Sequence, residues 1–153
     1  MKAFLFLSLI LFCHHTAAFA LSEVNAKAIN EQFQKSVKPI FAAKCAVCHG
    51  KVDAMPWYYA LPGLRQLMNH HLEEAKEHID MSSTFPFKSE KDWSPEKQLE
   101  KISDEVQEAE MPPWYFRITH WNAKLTTEEQ IAVLEWAKSS SQLVLKDKEN
   151  TRK

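Results

Sequence analysis

Glycine is scarce in this chain, which contains only Gly50 and Gly63 among 153 residues. Tight turns between neighbouring strands need residues that adopt positive φ angles, and glycine adopts them at the lowest cost. A fold of many short strands would therefore lack the turn residues it needs. The scarcity of glycine predicts an all-α domain.

Four segments repeat apolar residues at the three- and four-residue steps of an amphipathic helix. The predicted helices span residues 23–44, 62–79, 95–109 and about 127–142. Ser94 followed by Pro95 predicts the start of the third helix. Thr126 and Glu129 form a capping box that should open the fourth. Pro39 has no N–H to donate, so it should kink or break the first helix.

Three irregular stretches separate the predicted helices, at residues 50–61, 80–93 and 111–125. They are rich in aromatic residues and include the runs Trp57-Tyr58-Tyr59 and Trp114-Tyr115-Phe116. Pro112 and Pro113 cannot continue the helix before them, so Met111 should lie at its exit.

The first 20 residues have the pattern of a secretory signal peptide, in which Lys2 precedes an apolar run at 4–12 and Ala18-Phe19-Ala20 forms a small-residue site. The run is too short to span a bilayer as a helix. We expect cleavage after Ala20, export to the periplasm or beyond, and no stable membrane span afterwards; an uncleaved membrane anchor is the alternative. The charged stretch 146–153 should fray, which leaves residues 21–145 as the folded domain.

The chain carries 19 basic and 20 acidic residues. This balance gives no electrostatic basis for binding nucleic acid, and no Lys/Arg cluster marks an anionic membrane site. Of the three cysteines, Cys13 would leave with the signal peptide. A disulfide between Cys45 and Cys48 would close too short a loop to constrain the unfolded chain much. These two thiols are therefore expected to serve chemistry rather than stability.

The run Cys45-Ala46-Val47-Cys48-His49 is the attachment signature of a c-type haem. The two thiols of Cys45 and Cys48 would add to the vinyl groups of one covalent haem, and His49 would become the proximal iron ligand. A thioredoxin-like redox pair has the same cysteine spacing but lies in a βαβ unit, which the pattern does not show. A structural zinc site would need two further ligands, for which His70, His71 and His78 are poorly spaced.

The sixth iron position has several candidate ligands, namely Met55, Met68, Met81, Met111, His70, His71, His78 and His120. Met111 is favoured, because it leaves a helix into a stiff Pro-Pro loop and its thioether suits low-spin haem iron. His120 is the alternative, and it would make the haem bis-histidine.

Short motifs occur in a fixed order around the haem signature. They read Val37-Lys38-Pro39-Ile40, Pro56-Trp57-Tyr58, Met111-Pro112, Tyr115, His120, Ala123-Lys124-Leu125-Thr126 and Glu135-Trp136-Ala137. In this order the chain resembles the cytochrome c-like family of exported bacterial haem-binding domains over most of its length. The resemblance implies haem binding and electron transfer, and it names no redox partner. Two positions depart from the family: Trp121 stands where proline commonly follows the late histidine, and alanine near Ala75 replaces a glycine.

Three functions agree with these motifs. A mono-haem electron carrier would have its iron closed by His49 and Met111 and would expose a haem edge. A peroxidase-like enzyme would need an open sixth position beside acid–base groups, and the sequence shows no recognisable Arg–His pair for that purpose. A haem sensor, or a subunit docked to a larger enzyme, is the third. We expect an electron carrier rather than an enzyme, with the aromatic runs lining the haem pocket or forming a docking patch at its edge.

Overall fold

A computed structural model describes residues 21–52 and 54–152. The predicted signal peptide, with Cys13, lies outside the described residues. Within them the chain is helical and forms no strand, apart from a single bridge between Asp80 and Lys88. The all-α prediction is confirmed.

Seven α-helices follow one another in the described part of the chain: α1 (Glu23–Gln32), α2 (Lys38–Lys44), α3 (Ala46–His49), α4 (Leu64–His78), α5 (Pro95–Gln107), α6 (Trp114–Thr119) and α7 (Thr127–Thr151). A π-helical turn, Phe33–Val37, joins α1 to α2. Two 3₁₀ turns, Trp57–Ala60 and Trp121–Ala123, precede α4 and α7. None of these helices is both long enough and apolar enough to cross a bilayer.

Polar caps start α5 and α7 where the sequence predicts them. The Ser94 hydroxyl accepts a hydrogen bond from the Lys97 N–H at the first turn of α5. Thr126 and Glu129 exchange both bonds of the capping box that opens α7. Each cap satisfies backbone N–H groups that have no partner inside the helix. These two helix starts are therefore fixed locally.

The break predicted at Pro39 takes the form of a wider turn just before it. The Lys38 N–H donates five residues back to the Phe33 carbonyl, which closes the π-helical turn. Pro39 then lies in the first turn of α2, where a missing N–H costs little. Because the chain stays helical through this turn, Phe33, Val37 and Phe41 all point into the core.

The core lies between α1, α2, α5 and α7, and its centre is aromatic. Most of the ring contacts there are edge-to-face, with centroids from 5.2 Å to 6.4 Å apart, and they join Phe33, Phe41, Phe85, Phe87 and Trp136. Trp136 also donates its indole N–H to the Ile29 carbonyl at 3.3 Å. Such a cluster contributes both burial and ring–ring attraction.

Two side-chain amides hold the loop that brings Phe85 and Phe87 into this core. Asn30 accepts from the Phe85 N–H at 2.8 Å and donates to the Phe85 carbonyl. Gln98 does the same for Phe87, with both bonds at 2.9 Å, and also donates to the Trp93 carbonyl. Each amide therefore replaces the backbone partner that this loop lacks.

α7 is longer than predicted. It continues to Thr151, so the predicted end near 142 is wrong, and the stretch expected to fray is helical up to that residue. Asp147 is buried there and accepts from the Ser22 N–H at 2.8 Å and the Asn25 amide at 2.7 Å. This clasp joins the first turn of α1 to the end of α7.

α6 is a second difference from the sequence analysis. The stretch 111–125 was expected to be irregular, but Trp114–Thr119 is helical. Pro113 occupies the N-cap position, and the Phe116 and Arg117 N–H groups both donate to its carbonyl. Pro113 therefore starts α6, whereas α5 already ends at Gln107, before the two prolines.

Candidate functional site

One cavity, of about 430 Å³, gathers the residues of the haem signature. It lies between α3, α4, α5 and the loop that leads into α6. Cys45, Cys48 and His49 line it, and most of the remaining wall is apolar: Phe41, Val47, Met68, Leu72, Ile79, Met81, Ile102, Val106 and Leu125. Its size and its apolar lining are typical of a site for a small organic cofactor.

His49 is held in the tautomer that a metal ligand needs. Its Nδ1 lies 3.0 Å from the Ile79 carbonyl oxygen, which can only accept, so Nδ1 carries the proton. Nε2 then keeps its lone pair for a metal. Burial lowers the pKa of the His49 imidazole, although the Ile79 and Ala75 carbonyls oppose that shift. The ring is therefore neutral at ordinary pH, as ligation requires.

Burial has the opposite effect on the two thiols. It raises the pKa of Cys45 to about 12, with further contributions from Cys48 and Glu129, and it also raises the pKa of Cys48. Redox-active cysteine pairs have lowered pKa values and exposed thiolates. The protonated, partly buried thiols found here do not fit a thioredoxin-like pair, and the described residues form no βαβ unit.

The turn that carries the signature is tightly packed. The N–H groups of Cys48 and His49 both donate to the Cys45 carbonyl. Gly50 is buried, and a Cβ there would lie 2.9 Å from the Ala46 carbonyl oxygen, so the position requires glycine. The His49 carbonyl accepts from the Met81 N–H at 2.6 Å. Backbone bonds on both sides thus fix His49 against the cavity.

Met111 reaches the same cavity from a different part of the chain, the loop that follows α5. α5 ends at Gln107, and Ala109 adopts a left-handed φ of 53°, which turns the chain. Met111, Pro112 and Pro113 then line the cavity before α6 begins. The Met111 side chain is 43% exposed, so it lies at the mouth.

The other proposed distal ligands fall into two groups. Met68, Met81, His71 and His78 also line the cavity, whereas Met55, His70 and His120 lie outside its lining. His120 stacks on Phe116 with ring centroids 4.0 Å apart. Its Nδ1 lies 3.2 Å from the Phe116 carbonyl and its Nε2 lies 3.3 Å from the Tyr58 hydroxyl, so hydrogen-bond partners face both ring nitrogens.

Several polar residues of the cavity wall were not predicted from the sequence. These are Lys44, Lys101, Glu74 and Glu105, of which Lys44 donates its ammonium hydrogen bond to the Asn122 carbonyl. Burial raises the pKa of Glu105, and Glu110 adds to the shift. Lys101 and Glu105 flank the apolar stripe of α5. From the sequence pattern alone, residues in such a flanking position could equally face solvent or the cavity.

No group of three or more His, Cys, Asp or Glu side chains in the described residues is arranged to hold a metal ion. The zinc alternative therefore has no ligand set there. The donors do suit a haem, in which the porphyrin supplies the other iron ligands and the protein needs only an axial imidazole and an apolar wall. The neutral His49 ring and the largely apolar cavity meet both needs.

The chain matches the model of a family described as a haem-binding domain over residues 4–139. It is also 28% identical over 116 residues to a protein of Escherichia coli (strain K12) named cytochrome c peroxidase Ccp, an alignment that covers 75% of this chain and 24% of that protein. The chain thus spans about a quarter of that relative's length. No solved structure matches the chain. Since the family match covers most of the sequence, this protein belongs to the haem-binding domain family.

Proposed function

We propose that this protein is an exported, mono-haem c-type electron carrier. Cys45 and Cys48 bind the haem covalently through thioether bonds, His49 is the proximal iron ligand and Met111 is the distal one. The observation that supports this proposal most is that all four residues line one cavity, although Met111 lies far along the chain from the other three. Export depends on residues 1–20, and the mature chain begins at Leu21.

A bound haem supplies an iron that gains and loses one electron, and its porphyrin edge lets the electron pass without loss of a ligand. The chain supplies the rest. Ile79 holds the proton on His49 Nδ1 and so directs Nε2 to the metal. The apolar wall excludes water, and Lys101 offers positive charge to the haem carboxylates.

Met111 is the best of the distal candidates on two grounds. His120 lies outside the cavity lining and its Nε2 faces the Tyr58 hydroxyl, so ligation by His120 would require that contact to break and the ring to move into the cavity. The Met81 N–H bonds the His49 carbonyl, which ties Met81 to the same backbone turn as the proximal ligand. Met111 comes from a separate loop between two prolines and α5, where a thioether can approach independently.

Covalent attachment is tested by expressing the full chain in a host with haem-maturation machinery and extracting the denatured protein with acidic acetone. The haem should stay with the wild-type protein. The double variant Cys45→Ser/Cys48→Ser should release it or be degraded, whereas Cys13→Ser serves as a matched control and should behave as wild type. Complete release of haem from the wild-type protein would contradict covalent attachment.

The distal ligand is tested by absorption spectra of both redox states. Met111→Ala should give high-spin iron, a lower reduction potential and carbon monoxide binding by the reduced form. Met68→Ala and Met81→Ala remove methionines from the same cavity and should leave the low-spin spectrum in place. If His120→Ala abolished that spectrum while Met111→Ala did not, the haem would be bis-histidine.

A peroxidase-like enzyme is the second candidate, favoured by the similarity to the Escherichia coli protein and by the exposure of Met111. A distal ligand at the cavity mouth can be displaced, and His71 in the same wall could then act as an acid–base group. The carrier proposal expects peroxide turnover no higher than that of free haem. High, saturable turnover that His71→Gln removes and the neighbouring control His70→Gln retains would favour the enzyme.

A further inference from the structure

Three of the five tryptophans are mainly exposed. Trp57 is 81% exposed, Trp114 66% and Trp121 84%, and Ile118 is 66% exposed as well. Single exposed apolar residues are common on protein surfaces, but clustered exposed tryptophans are not. Tryptophan is also the residue most enriched among those that carry the binding energy of protein interfaces.

The segments that carry these side chains lie next to one another, because short contacts join them. The Tyr58 hydroxyl lies 3.3 Å from His120 Nε2, which connects the turn of Trp57 to the turn of Trp121. The His71 and Tyr115 rings lie 5.2 Å apart, which connects α4 to α6. We define the aromatic face as Trp57, Trp114, Ile118 and Trp121.

The aromatic face adjoins the mouth of the haem cavity. Met111, Pro113 and Tyr115 line the cavity, and Trp114 lies between two of them in the sequence. Met111 and Tyr115 are themselves 43% and 45% exposed. A molecule bound to the aromatic face would therefore lie next to the site from which an electron enters or leaves.

Charge is distributed unevenly between this face and the rest of the molecule. The two segments that build it, residues 54–72 and 111–127, contain Arg65, Arg117 and Lys124 but no Asp or Glu, although the chain has 20 acidic residues. Carboxylates instead crowd the end of α5 and the loop after it, at Asp104, Glu105, Glu108 and Glu110. The charged side chains that these two segments themselves contribute are therefore all positive.

We propose that the aromatic face docks an acidic redox protein, one that presents an apolar spot ringed by carboxylates. The inference rests on the proposed electron-transfer function. Tryptophans in the centre would supply contact area, and Arg65, Arg117 and Lys124 at the rim would steer the partner and set its orientation. A membrane surface fits less well, because recruitment to anionic lipid typically takes a cluster of about four to eight basic residues.

The test uses the haem-loaded, full-length protein and a strongly acidic blue-copper protein as the probe partner. The second-order rate constant of electron transfer should fall steeply as salt concentration rises. The triple variant Arg65→Gln/Arg117→Gln/Lys124→Gln should lower that rate about tenfold at low salt and flatten its salt dependence. The variant Trp57→Ser/Trp121→Ser should lower the rate at every salt concentration.

Matched controls remove the same groups elsewhere. Val24 is 78% exposed on α1, so Val24→Ser is the control for lost apolar surface. Lys27→Gln/Lys138→Gln/Lys146→Gln removes three exposed charges outside the aromatic face. Both controls should keep the wild-type rate. Equal losses in controls and face variants, or a rate that rises with salt, would overturn the proposal.

Two other results would also overturn it. In the first, the wild type sediments with vesicles of phosphatidylglycerol and phosphatidylcholine, Trp57→Ser/Trp121→Ser does not, and both keep the same electron-transfer rate with the probe protein. This result would assign the face to membranes. A dimer in analytical ultracentrifugation that the same variant dissolves, again with unchanged rates, would assign it to a second copy of this chain.

A small reagent separates this inference from the function on which it rests. Ascorbate should reduce all variants at similar rates, because it needs no docking surface. If ascorbate reduces the wild type but the face variants keep the wild-type rate with the probe protein, only the docking proposal fails. If neither ascorbate nor dithionite changes the redox state of the wild-type haem, the carrier function itself fails.

Discussion

The aromatic core and the aromatic face use the same kinds of side chain in opposite surroundings. In the core, the rings of Phe33, Phe85 and Trp136 are at most 5% exposed. In the aromatic face, Trp57 and Trp121 are more than 80% exposed. Most of the core rings contact one another edge-to-face, whereas each tryptophan of the face stands on a short turn or on the six-residue helix α6.

The difference lies in what supports each ring. Asn30 and Gln98 bond both backbone groups of Phe85 and Phe87, which fixes the loop that carries these two core rings. On the face, Pro56 and Pro113 occupy the N-cap positions of the segments that carry Trp57 and Trp114. A proline stiffens the local chain without requiring the side chain to be buried. Aromatic residues can therefore be held at a surface and remain free to bind.

The largest expected effect comes from removing a core ring. Trp136→Ala should lower the free energy of unfolding by about 3–5 kcal/mol, because it leaves a cavity and removes the donor to the Ile29 carbonyl. Urea unfolding of the haem-loaded protein, followed by circular dichroism, measures the change. Trp121→Ala is the same substitution on the face and should cost less than about 0.5 kcal/mol. Equal costs would show that the face supports the fold.

A smaller loss should follow from removing one of the amide supports. Gln98→Ala should cost about 2–3 kcal/mol, since the Phe87 N–H and carbonyl lose their partners inside the core. Gln107→Ala, on the exposed side of the same helix, provides the control and should change stability little. If Gln98→Ala left the free energy of unfolding unchanged, burial alone would hold Phe87. The proposed difference between how core rings and face rings are supported would then disappear.

Ser140 should respond in the opposite direction. Its hydroxyl is fully buried in α7 and has no hydrogen-bond partner among the described residues. Ser140→Ala should therefore raise the free energy of unfolding by about 1 kcal/mol, by removing a desolvated polar group and by favouring the helix. Ser141 donates to the Ala137 carbonyl, so Ser141→Ala should bring no such gain. A loss of stability in Ser140→Ala would indicate a partner for its hydroxyl.

The smallest expected effect concerns Glu105. It tests whether the cavity wall is shielded from water, as the core is, or exposed to it, as the aromatic face is. Burial raises its pKa, with Glu110 and nearby acidic groups adding to the shift. The unfolded chain then loses this proton at lower pH than the folded chain, so stability falls as pH rises through the window between the two pKa values. Glu105→Gln should remove that fall and raise the melting temperature slightly at pH 7 but not below the ordinary glutamate pKa.

Glu149→Gln, an exposed carboxylate on α7, is the control for Glu105→Gln and should leave the pH dependence of melting unchanged. Identical pH profiles for Glu105→Gln and wild type would mean that water reaches Glu105 as freely as it reaches the face.

Sequence reasoning predicted the features that depend on near neighbours. Ser94 with Pro95, and Thr126 with Glu129, specify helix starts within four residues, and both starts are confirmed. The haem signature likewise lies within one helical turn. α4 also agrees with prediction, with its start displaced to Leu64 because Gly63 adopts a positive φ of 85° as its N-cap.

The features that were missed depend on residues far apart in the chain. The end of α7 is stabilised by Ser22 and Asn25, and the sequence around Asp147 contains no pattern that predicts this contact. α6 has no clear apolar period, because its apolar residues Trp114, Tyr115 and Ile118 are exposed. The sequence favours Met111 over Met68 and Met81 as the distal ligand, and because all three line the cavity this preference stays a prediction.

The clasp between α1 and α7 also bears on the order in which contacts form during folding. Asp147 follows Ser22 by 125 residues, so a chain delivered from its amino end presents α1 long before the helix that pins it. Contacts this distant form late, once the intervening chain has collapsed. His49 and the cysteines of the signature are present throughout that interval, while the core beside them is still unclosed. No residue of α7 lines the cavity, so the cavity wall can form from the earlier helices before Asp147 docks.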